Sequence, residues 1–201
     1  MSTTEAPLRL APRQRELRRI QRRLERFYGL EAAPSVTRFV REGERGSREV
    51  VLVRQSADGV ELALVLPPEA RSVARGGTLD DVWLQVAEGV SHFLYLAQRV
   101  RVDLPVTQLE LELQAEVDKF VLSAEFSLDP GQLIARLFDS PQFLDPEGSE
   151  AGERYRLAHR LAARFLSRVL EETHAPERVR ERLQSFYRAG QTEKISLASA
   201  A

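Results

Sequence analysis

Apolar residues recur along this chain at two periods, and the changes of period mark its elements. Leu17, Ile20, Leu24 and Phe27 repeat at helical spacing behind Pro12 and ahead of Gly29, which predicts a first helix. The period then falls to two. Val36 to Arg41 reads as a strand, Gly43 to Ser47 as a turn, and Glu49 to Arg54 as a second strand around the run Val50-Val51-Leu52-Val53. Asp58-Gly59 signals a hairpin, after which Val60, Leu62, Leu64 and Leu66 alternate until Pro67-Pro68 closes the segment. The simplest assembly is a three-stranded antiparallel meander with one face on helices.

Helical spacing returns after residues 67–77. Thr78 is the expected N-cap of a helix reaching Arg101, with Trp83, Val86, Val90, Phe93 and Leu94 on its apolar stripe. Thr107 and Glu110 form a capping box for the next helix, although residues 107–113 also alternate and fit a strand. Asp129-Pro130 opens a short helix to Phe138, Ser149 caps a long one, and Pro176 starts the last, which Gly190 can stop. The predicted fold is α+β: an N-terminal helix, a small antiparallel meander, then a predominantly helical bundle. Residues 11–190 read as one domain, with 11–66 as helix plus meander and 78–190 as the helical part. Residues 1–10 and 191–201 read as flexible tails.

Composition narrows the function classes. The 201 residues are 43% apolar and 29% charged, an ordinary globular balance. Net charge is −1, which gives no general attraction to nucleic acid or to an anionic membrane. With no cysteine there are no disulfides, thiolate nucleophiles or thiolate zinc sites, as suits a reducing compartment. No leader and no span-length apolar run is visible, so the expectation is a cytoplasmic protein without a membrane partner. Lys119 and Lys194 are the only lysines, so arginine abundance reflects compositional bias as much as phosphate binding.

Candidate chemistry centres on Glu88 and His92, one turn apart on the most periodic helix. Glu112 and Glu116 repeat that spacing on the next helix, and His159 lies on a third. Together, oxygen and nitrogen donors of these types could hold a divalent metal between helices. The pattern lacks the second imidazole of a His-Glu-x-x-His helix, and Gly89 stands where its general base would be. Ser91 has no base facing it, and no phosphate loop or nucleophile elbow is present. No catalytic residue is therefore assigned, and no cofactor is expected unless the Glu88, His92, Glu112 and Glu116 set binds a metal.

Two charged helices complete the picture. Arg15, Arg18, Arg19, Arg22, Arg23 and Arg26 make the first helix basic, while Glu110, Glu112, Glu116, Asp118 and Glu125 make the helix after Pro105 acidic, read as a solvated face. The first expectation is a non-enzymatic interaction or regulatory module that uses these oppositely charged helices on a protein partner or a second copy. One alternative is a metal-dependent hydrolase, or a degenerate relative, with a Glu/His site between helices. A second is a nucleic-acid-associated factor acting through the arginine-rich helix.

Overall fold

The structure is a computed structural model that describes residues 12–57, 59–73, 80–124, 129–141 and 143–199. Its elements run α1 (Pro12–Tyr28), β1 (Val40–Glu42), β2 (Val50–Ser56), β3 (Gly59–Leu66), α2 (Asp81–Arg101), α3 (Gln108–Ser123), α4 (Pro130–Phe138), α5 (Glu150–Glu172), α6 (Pro176–Arg188) and α7 (Gln191–Ser199). The class is α+β, as the alternation of periods predicts.

Local signals place most boundaries. Gly29 leaves α1 at φ +63°, the left-handed turn that glycine adopts at low cost. Thr107, Asp129 and Ser149 each accept a hydrogen bond from the first turn of the helix they cap. The expected cap Thr78 lies outside the described residues. Asp80 caps α2 instead, accepting from the Trp83 N–H at 2.8 Å. Residues 108–113 are helical, so capping outweighs their alternation.

The sheet departs from the expected antiparallel meander. Its order is β1-β3-β2, with β1 parallel and β2 antiparallel to β3. Apolar content explains the order: β3 ends in fully buried Leu64 and Leu66 and takes the centre, while β2 exposes Val50, Leu52 and Val53 and takes an edge. The first strand is also shorter than expected. Val36 opens a 3-10 turn, because the Gln21 side chain accepts its N–H at 2.8 Å and diverts the chain from extended pairing.

Helix α2 is the axis of the fold. From Val86 to Leu96 every residue is buried, covered by the sheet on one side and by α3 on the other. Helix α5 closes the far side of α3. The expected flexible tail at 191–201 is corrected, because residues 191–199 form α7, packed on α5 and α3. Lys194 anchors α7: fully buried, it donates at 2.6 Å to both Gln114 Oε1 and the Phe186 carbonyl.

Candidate functional site

Helices α2 and α3 place polar side chains in the interior. One donor atom each from Glu88, His92 and Glu112 lies within 4.8 Å of the other two, and all three residues are buried. His92 Nε2 stands 3.4 Å from Glu112 Oε2, an ion-pair distance, but its alignment does not make a hydrogen bond. Glu116, expected in the same set, turns away. One turn further along α3, it meets Lys119 Nζ at 2.6 Å and His159 Nδ1 at 3.3 Å.

Residues that sequence reasoning missed complete the cluster. Arg48 donates to Glu88 Oε1 at 2.9 Å, and Lys119 donates to Glu88 Oε2 at 3.3 Å. The Arg48 guanidinium stacks 4.3 Å from the Tyr155 ring centroid. Glu49, at the head of β2, comes in through a notch at Gly89. A Cβ there would lie 2.8 Å from Leu64 Cδ1 and 3.2 Å from Glu49 Cγ, so only glycine admits this approach. The glycine that removes a neighbouring base from α2 is thus the one that admits a carboxylate from β2. The signal in sequence was a glycine inside the most periodic helix, together with an acidic residue heading an apolar strand.

The electrostatics are unbalanced. Glu49, Glu88, Glu112 and Glu116 face two permanent cations, Arg48 and Lys119. Burial, then the charge of Glu88, pushes the Glu49 carboxyl up to about 8. Burial works against ionised Glu88 and protonated His92 as well, but their partners win. Lys119, His92 and Arg48 hold Glu88 well below the usual carboxylate range. Glu112, followed by Glu88 and Glu49, raises His92 to about 9. Protons on Glu49 and His92 thus supply the two missing positive charges. Two atoms here lack hydrogen-bond partners, Glu49 Oε2 and His92 Nε2, with side chains only 1% and 9% exposed.

Glu49, His92 and Glu112 form one end of a cleft of about 780 Å³ between β2, the second half of α2 and the start of α3. Arg154 and Tyr155 of α5 also line it. Burial, with Glu112 nearby, raises the Tyr155 phenol far above neutrality, so it remains a proton donor.

The other candidates fall elsewhere. Ser91 donates to Asp118 Oδ2 at 2.6 Å, where Tyr28 and Gln114 also bind, a buried structural network. The solvated acidic face expected on α3 is corrected: Glu110, Glu112 and Asp118 are buried and Glu116 nearly so, because partners on other elements, Arg99, His92, Tyr28 and His159, compensate them. Glu125 lies outside the described residues. On α1, Arg15, Arg19, Arg22 and Arg26 are exposed, whereas Arg18 and Arg23 are half-buried. Among the described residues, no helix is long and apolar enough to cross a membrane. Compared with known proteins, the chain matches no family model, no curated protein and no solved structure.

Proposed function

We propose that this protein binds a divalent cation through Glu88, His92 and Glu112 and is a metal-dependent hydrolase. The observation that carries this reading is the convergence of three buried donors within 4.8 Å, two of which, His92 and Glu112, line an open cleft. A mixed imidazole–carboxylate set suits zinc, manganese or ferrous iron, and three protein ligands leave a coordination position for water or substrate. The charge count agrees, since one divalent cation replaces the two protons that Glu49 and His92 otherwise hold. Arg48 and Lys119 fix the Glu88 carboxylate and so orient a ligand from outside the coordination sphere.

A cation held by Glu88, His92 and Glu112 would supply Lewis-acid polarisation of a carbonyl or phosphoryl oxygen and acidify water. Glu49 is the acid–base group of the reading. It is buried beside the donor set, and once a cation displaces its proton the carboxylate would be free to take one from water and return it to a leaving group. The Tyr155 hydroxyl and the Arg154 guanidinium, which also line the cleft, can hold the oxygen that gains charge.

Metal content tests the reading. Protein purified without added metal or affinity tag should bind close to one equivalent of zinc, manganese or iron. At a hundredfold excess over Kd, binding adds about 2.7 kcal/mol, so chelation should lower the melting temperature by about 5–10 °C. His92→Ala and Glu112→Gln should each lose both the metal and the chelator response. Folded protein that takes up none of these metals, with a melt indifferent to chelator, would reduce the cluster to an internal ion-pair network.

A second reading rests on the exposed arginines of α1. Arg15, Arg19, Arg22 and Arg26 present a basic strip that suits an acidic protein surface. Under this reading the protein leaves duplex DNA and RNA unbound even at low salt. A salt-sensitive gel shift, lost on Arg15→Glu combined with Arg22→Glu, would instead assign the strip to nucleic acid.

A further inference from the structure

Strand β2 has one free side. It pairs with β3 from Val50↔Val65 to Ser56↔Gly59, and among the described residues nothing pairs with its outer edge. The outward-facing N–H and C=O groups of alternate residues in this seven-residue strand are therefore available, and Val50, Leu52 and Val53 are 46–55% exposed along it. An edge of this kind ordinarily carries protection such as proline, a bulge or a cover. Here it borders the cleft instead. Val51, Val53 and Gln55, alternate residues of β2, line that cleft together with Glu49, the residue just before the strand, so the strand leads directly to the acid–base group at its head.

The other walls indicate what fits. Leu96, Val106 and Leu111 provide apolar contact across from the strand. Of the ionisable side chains in the lining, Glu49, Asp103 and Glu112 are acidic and His92 and Arg154 are basic. With three acidic against two basic groups, the lining holds no surplus of positive charge to recruit phosphate esters or other anions. Arg154 Nε is buried without a hydrogen-bond partner, a donor free for a neutral carbonyl oxygen.

We propose that the substrate of this site is an extended peptide segment with neutral or basic side chains, which adds as a further strand to the free edge of β2 and runs along the cleft to Glu49. This rests on the hydrolase reading above and assigns its substrate class. Main-chain pairing supplies affinity, and alternate side chains drop between β2 and α3. In the reaction the oxygen of water bonds to the peptide carbonyl carbon. The C–N bond breaks with its electron pair going to nitrogen, and Glu49 carries a proton from that water to the departing amine.

Binding can be tested apart from metal and from cleavage. The probe is a fluorescein-labelled peptide of about eight residues that alternates valine and threonine and ends in lysine, titrated against the full chain in the presence of chelator. Two counterparts carry N-methyl groups on the odd or the even residues. A strand turns alternate N–H groups to its partner, so one counterpart should lose more than about tenfold in affinity and the other less than about threefold. Val53→Lys, at an exposed edge position, should weaken the parent peptide by about tenfold without changing the melt, and replacing the threonines by glutamate should weaken it similarly. Equal binding of both methylated peptides, or no binding of the parent, overturns the peptide assignment. Metal uptake would still stand or fall by its own measurement, so the two failures are distinguishable.

Discussion

Trp83→Ala is expected to lower the unfolding free energy by about 3–5 kcal/mol, the range for truncating a large buried aromatic. Trp83 is 4% exposed, near the start of α2, and belongs to the main core cluster. Its indole N–H also donates to Glu16 Oε1 at 3.2 Å, and Glu16 itself is buried on α1. The substitution therefore opens a cavity and removes a partner from an interior carboxylate, leaving Arg19 at 3.4 Å. Trp83→Phe separates the two effects, because it keeps most of the volume and removes only the hydrogen bond, which is worth about 1.5–3 kcal/mol to a charged acceptor. Urea denaturation measures both. An unchanged midpoint for Trp83→Ala would mean that this end of α2 does not pack on α1.

Lys194 should give the protein an unusual dependence on pH. Burial is the dominant influence on it and outweighs Asp118 and Glu110, bringing the ammonium down to about 7. The unfolded chain holds that proton up to about pH 10.4, so between the two values the unfolded state binds more protons. This group's contribution therefore grows more favourable as pH rises from 7, and its full cost is present below 7. Between pH 7 and 9.5 the gain is on the order of 3 kcal/mol. Glu49 and His92 work in the other sense. Their raised values stabilise the metal-free fold at low pH, and that stability is lost as pH climbs through about 8 and about 9. Comparison with Lys194→Met cancels these shared groups, since they belong to a separate cluster. Wild type should gain about 3 kcal/mol over the variant from pH 7 to 9.5. A constant difference would show that Lys194 keeps an ordinary ammonium inside the fold.

Half of the candidate centre was readable in advance because it is local. Glu88 and His92 share a face of α2 by helical geometry alone, and Glu112 lies on a helix that its capping box announces. Glu116 was read together with Glu112 for the same reason. One turn along α3, however, brings it to Lys119 and His159, and no spacing rule shows which turn faces the neighbouring helix. Glu49, Arg48 and Tyr155 arrive from a strand and a distant helix. Their trace in sequence was Gly89, read at first as a missing base, together with the acidic residue ahead of an apolar strand.

Charge patterning misled where burial decides the meaning of a charge. The acidic residues of α3 resemble a solvated stripe until Arg99, His159, His92 and Tyr28 are placed against them. The segment 191–199 resembles a polar tail until Lys194 finds Gln114 and the Phe186 carbonyl. By itself, the sequence determined the α+β class, most helix boundaries and the side-chain spacing within each helix. These follow from interactions over three or four residues, namely caps, proline and glycine backbone limits, and apolar periodicity. Tertiary structure alone decided the parallel pairing of β1, the free edge of β2, the docking of α7 and the meeting of Glu49 with Glu88, His92 and Glu112. Those depend on which surfaces bury one another across long separations in the chain, where the gain from burying apolar area and pairing interior charge outweighs any local preference.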